Sequence, residues 1–84
     1  TVILQSTGVY LAYRGYAEHV HAAGFPPLTE LLATYLEAGG KLMICSPCMQ
    51  ARKIRPEELI EAATIIAGAT LISEIAAATN VVTY

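Results

Sequence analysis

Short apolar runs rich in β-branched residues alternate along this chain with one-sided helical stripes, and no other feature constrains the fold as strongly. Val2-Ile3-Leu4 reads as a buried strand, ended by Ser6, Thr7 and Gly8. From Gly8 to Phe25 the sequence mixes Tyr10, Tyr13, Tyr16, Gly15 and Gly24 with His19 and His21. That stretch has no clean period and is expected to be an irregular excursion with room for one helical turn. Pro26-Pro27 presets a helix start, and Leu28, Leu31, Leu32, Tyr35 and Leu36 then fall on one side of a helix that Gly39-Gly40 ends. Lys41 to Cys45 is the next strand, apolar from Leu42 onward and so expected at the centre of a parallel sheet. A short helical pattern through Arg52 follows, and Pro56 with Glu57 and Glu58 opens another. Ala63 to Ile66 reads as a third strand, and Gly68 turns into a helix carrying Leu71, Ile72, Ile75 and Ala76 on one side. Asn80 precedes an expected last strand, Val81 to Tyr84. This order predicts right-handed β-α-β units and a parallel α/β sheet in a single domain, residues 1–84.

Composition narrows what such a domain does. With 84 residues the chain holds one domain at most, and a chain this short hides only about 60–65% of its unfolded surface. Yet 55% of its residues are hydrophobic and 14% charged, which excludes disorder. The sheet must be covered on both faces, or apolar surface must be hidden against partner subunits. Five Lys and Arg against seven Asp and Glu give a net charge of −2 and no basic stripe, which argues against a nucleic-acid partner. The richest apolar stretch, Ala62 to Ile72, is too short for a membrane span and is interrupted by Thr64, Gly68 and Thr70, so no membrane association is expected. No Arg-rich presequence or signal peptide opens the chain and no initiator Met is present, so the expectation is a cytoplasmic protein shown without its natural N-terminus. There is no Gly-x-Gly-x-x-Gly, Walker loop or Gly-x-Ser-x-Gly elbow, and the absence of Asp excludes a Ser-His-Asp triad.

Chemistry concentrates in Cys45-Ser46-Pro47-Cys48, at the C-terminal end of the expected central strand. In open α/β sheets ligands and reactive groups collect at that edge. A thiol there meets free backbone N–H groups, which favour the thiolate, and Arg52 and Lys53 follow nearby. Four readings fit the two cysteines. Cys45 is a small buried hydrophobe; the pair is a thioredoxin-like dithiol; Cys45, Cys48, His19 and His21 form a zinc site; or one thiolate carries a persulfide. His19 and His21 are either solvated loop side chains or one of them exchanges a proton with Cys45. Ser46 serves as a cap or as a donor to bound sulfur or an anion, and Tyr10, Tyr13, Tyr16 and Tyr35 suit packing and interfaces.

An ordered series of residues resembles the DsrE/DsrF-like proteins, which include sulfur-relay subunits of the TusD type. It runs from Gly39-Gly40-Lys41 through Met43-Ile44-Cys45, Cys48, Ala51-Arg52, Ile54 and Pro56-Glu57-Glu58-Leu59-Ile60. Ala67-Gly68-Ala69-Thr70-Leu71 and Val81-Val82-Thr83-Tyr84 continue it, and Gly8 to Ala12, Gly15 and Pro26-Pro27-Leu28 match upstream. The resemblance implies a three-layer flavodoxin-like α/β/α fold, homo-oligomers (dimers, trimers or hexamers), donor and acceptor proteins for sulfur, and cytoplasmic sulfur transfer without a tightly bound cofactor. It places the acceptor cysteine at Cys45. Cys48 is then expected to resolve the persulfide as a disulfide or to tune its acidity, with Arg52 and a histidine stabilising the anion. Family members usually carry a further strand and helix ahead of the strand matching Val2-Ile3-Leu4. The sheet is therefore expected to lack an interior strand.

Overall fold

The computed structural model describes every residue from Thr1 to Tyr84. Three parallel strands, β1 (Val2–Leu4), β2 (Leu42–Cys45) and β3 (Ala63–Ile66), form one open sheet in the order β1-β2-β3. Val2, Leu42 and Ala63 share one row, Leu4, Ile44 and Ile65 another, and Cys45 pairs with Ile66. The apolar run at 42–45 is central because its backbone is the one paired on both sides. Three α-helices, α1 (Leu28–Glu37), α2 (Ser46–Ala51) and α3 (Gly68–Ala77), complete a mixed α/β architecture consistent with a flavodoxin-like fold. No helix is long and apolar enough to cross a membrane.

The excursion after β1 is more regular than its sequence pattern. Ser6–Ala12 is a 3-10 helix and Ala17–His19 a 3-10 turn. With three residues per turn such a helix aligns positions i and i+3, so Val9 and Ala12 face inward without producing a 3.6-residue stripe. Arg14 fastens the excursion to the segment before β3. Its backbone N–H donates to Glu58 O (2.8 Å), and its Nη2 reaches Glu57 O (3.0 Å) and Leu59 O (3.2 Å). Tyr13 and Leu59 form an antiparallel bridge across the same seam.

Both helices flanking β2 end in paired backbone bonds that close the last turn. At the end of α1, Gly40 N–H donates to Tyr35 O and Gly39 N–H to Leu36 O, with Gly39 at φ 89°. That left-handed conformation costs glycine nothing. Gly40 matters for a different reason: a Cβ there would overlap the Tyr35 ring, whose hydroxyl donates to Lys41 O at 2.7 Å. At the end of α2 the same pair of bonds runs from Ile54 to Met49 and from Lys53 to Gln50. There the left-handed position is Lys53, at φ 56°.

The core lies between β2 and the elements packed on one face of it. Val9, Ala12, Leu42, Ile44, Met49, Ile54 and Leu59 form a single buried cluster, with Leu4, Leu32 and Leu36 against it. One expectation is corrected. Val81 to Tyr84 does not form a strand; these residues have no strand partner, and the tail instead lines a cleft with Ile3, Glu74 and Ile75. A strand needs a neighbour to satisfy its backbone groups, and β3 stays an outer strand. β1 pairs directly with β2.

Candidate active site

β2 runs into α2 with no intervening loop, and that junction builds the site. Cys45 ends the strand and stands as the N-cap of α2. Pro47 occupies the first turn, where its fixed φ suits a helix and its missing N–H leaves nothing unpaired. Cys48 follows at i+3 from Cys45, which places the two side chains on one side of the helix start. Their sulfurs lie 2.7 Å apart, with Cys48 donating to Cys45 when both are protonated. Both thiols are free and half-exposed.

Two further pieces of chain converge on Cys48. Ser6, at φ 51°, directs its backbone N–H toward the Cys48 sulfur from the segment that follows β1. Arg52 folds back over α2: its Nη1 donates to Cys48 O at 3.2 Å and its Nη2 to Thr7 Oγ1 at 3.5 Å. Arg52 thereby ties the α2 end to the Ser6-Thr7 segment and sets a positive charge beside the thiols.

These groups divide the acidity of the pair. Cys48 is held below the ordinary thiol value, chiefly because Cys45 donates a hydrogen bond to its thiolate. The Ser6 N–H and the Arg52 charge act in the same direction, against some desolvation. Cys45 is pushed above the ordinary value, first by burial and then by its hydrogen bond with Cys48, with Arg52 opposing. The directions of the two shifts favour the thiolate on Cys48, with Cys45 as the thiol that donates to it. One nucleophile and one adjacent proton-bearing thiol stand in contact.

The other expected residues are placed as follows. Arg52 is brought to the cysteines, and Ser46 sits between them at the first position of α2, half-buried. The histidines do not form a ligand set with them. His19 is exposed at the end of its 3-10 turn, and His21, also exposed, has Nε2 2.8 Å from Phe25 O. No group of three or more His, Cys, Asp or Glu side chains is arranged to hold a metal, so the zinc set Cys45, Cys48, His19 and His21 is not assembled. Ser6 and Thr7 belong to the site although the sequence pattern marked them only as the end of a strand. The signal was topological: in a parallel sheet the segment after one strand meets the segment after its neighbour.

The comparisons with known proteins bear on the family of the chain. The chain is similar to the uncharacterized protein MJ0989 of Methanocaldococcus jannaschii, with 32% identity over 83 residues, which is 99% of this chain and 69% of that protein. No solved structure matches it. The family model described as DsrE/DsrF-like matches residues 1–84, the whole of the sequence, and the protein belongs to the DsrE/DsrF-like family.

Proposed function

We propose that this protein handles sulfane sulfur, taking it up as a persulfide on the Cys45–Cys48 pair and delivering it to a further acceptor. The observation that supports this reading is the pair itself, two free thiols 2.7 Å apart where the central strand turns into a helix, in a chain of the DsrE/DsrF-like family. The resemblance pointed to Cys45 as acceptor; the lowered pKa of Cys48 favours Cys48 as the attacking group. Its thiolate attacks the outer sulfur of a persulfide donor. A Cys48 S–S bond forms, the donor's S–S bond breaks, and the donor leaves as a thiolate. Arg52 then stands beside an anionic persulfide.

Intact mass after one equivalent of a small-molecule persulfide tests the assignment. Cys45→Ser is expected to gain one sulfur atom, removable by reductant, and Cys48→Ser none. Loading of Cys48→Ser but not of Cys45→Ser would return the acceptor role to Cys45. No loading of either would end the persulfide reading.

A second proposal, that the protein works as a homo-oligomeric subunit, is favoured by its surface. The chain exposes 5927 Å², against about 4,800 Å² for a compact monomer of this mass. Leu31, Ile72 and Ile75 on α1 and α3 are among the exposed apolar residues, a pattern that a second copy of the chain would cover. Light scattering is expected to give a multiple of the chain mass, and a strictly monomeric protein would remove this proposal.

A further inference from the structure

Resting on the persulfide reading, we infer that Cys45 is a built-in resolving thiol: it closes on a loaded Cys48, expels the carried sulfur as sulfide and leaves a Cys45–Cys48 disulfide that a dithiol reductant must reopen. The geometry carries this inference. The Cys45 and Cys48 sulfurs are direct neighbours, 2.7 Å apart, so each lies within reach of the other. Both positions are anchored, one at the end of β2 and the other in the first turn of α2, so neither must search for its partner.

Displacement at sulfur is in line. An attack by Cys45 on the inner sulfur of the Cys48 persulfide therefore requires the outer sulfur to point away from Cys45. Cys48 is half-exposed, with Arg52 beside it, so the departing sulfur leaves as an anion near a positive charge. The balance is complete. Cys45–SH and Cys48–S–SH become the Cys45–Cys48 disulfide and hydrogen sulfide, the proton of Cys45 leaving with the expelled sulfur. The carried sulfur is reduced to sulfide, and the two cysteines together are oxidised. The raised pKa of Cys45, a consequence of its burial, favours its protonated form during loading, which leaves the uptake step to Cys48.

The inference places the protein in a reaction sequence. A persulfide-generating reaction must precede it, and a dithiol–disulfide exchange must follow each release of sulfide. A competing acceptor thiol that takes the outer sulfur first bypasses the disulfide, so the same pair serves relay when an acceptor is docked and release when none is.

The test compares the parent protein with Cys45→Ser, a substitution suited to an N-cap position, each fully reduced and given one equivalent of a small-molecule persulfide. Sulfide is quantified, and intact mass is read before and after alkylation. The parent is expected to release close to one equivalent of sulfide, lose two hydrogens and resist alkylation at both cysteines until a dithiol is added. Cys45→Ser is expected to keep its extra sulfur and release no sulfide. A parent that retains the sulfur as Cys45→Ser does, or equal sulfide from both, would overturn the role given to Cys45. Failure of Cys45→Ser to take up sulfur at all would instead overturn the assignment of Cys48 as the acceptor, on which this inference rests.

Discussion

Ile44 is the residue on which the core and the site both depend, and its smallest truncation gives a sharp test. Its side chain has no exposed surface, it lies on the central strand, and it immediately precedes Cys45. Ile44→Val deletes one methylene, worth about 0.8 kcal/mol in transfer from water, and the residual cavity brings the loss to about 1–1.5 kcal/mol. A domain of this length has about 4–13 kcal/mol in total, and with only eight buried residues this one belongs in the lower half of that range. With a urea dependence of about 1 kcal/mol per molar, the unfolding midpoint should fall by about 1 M with unchanged slope. The control is Ile72→Val, the same chemical change at a side chain that is 65% exposed, expected to move stability by less than about 0.5 kcal/mol. Urea titrations followed by far-ultraviolet circular dichroism suffice, since the chain has no Trp. Superimposable curves for the two variants would refute the placement of the core on β2.

Further tests address the site and the helix ends. Arg52→Ala removes a positive charge that favours the Cys48 thiolate, so the pH midpoint of Cys48 alkylation should move upward and its rate at neutral pH should fall. Added salt should act in the same direction, as read by peptide mass spectrometry. Gly40→Ala drives a Cβ into the Tyr35 ring and should cost about 1–3 kcal/mol. Combined with Tyr35→Ala it should cost markedly less than the sum of the two, because the clash is gone. Lys53→Gly relieves a left-handed residue at the α2 end. The relief of about 1–2 kcal/mol is partly offset by glycine's unfolded-state entropy, so the midpoint should hold or rise. Glu58 is held below the usual carboxylate range by the Arg55 backbone N–H and the Tyr13 hydroxyl. Its contribution is present above the unfolded carboxyl value and is lost as pH falls through the lowered folded value. Glu58→Gln should therefore flatten the acid limb of stability in urea midpoints measured across the acid range.

Most of the fold was legible because local signals and tertiary placement agreed. The β-branched or aliphatic runs at 2–4, 42–45 and 63–66 are strands, and the stripe from Leu28 to Leu36 is α1, between its Pro pair and its Gly pair. The tail Val81 to Tyr84 has equal strand propensity and no strand, since propensity supplies no partner. The 3-10 helix at Ser6–Ala12 escaped because its period differs from the one sought. At the site, the spacing of Cys45 and Cys48 was readable, and their division of acidity was not. That division depends on Ser6 and on the direction Arg52 takes, and both are tertiary facts. The histidines show the opposite case: residue types suited to a metal, on a segment the fold does not bring to the thiols.

The register of the sheet has a consequence for when the nucleophile exists. Leu42 pairs with Ala63 across a modest stretch of chain, whereas Val2 pairs with Leu42 across roughly twice as much, which raises the closure cost by about 0.6 kcal/mol. β1 is also the shortest strand, with Val2 exposed. Both cysteines belong to the β2-α2 unit, whereas Ser6 and Thr7 reach it from the segment after β1. Pairing of β1 with β2 is thus what brings Ser6 and Thr7 to the thiols, and the acidity of Cys48 depends on a contact made across the longer of the two crossovers between strands.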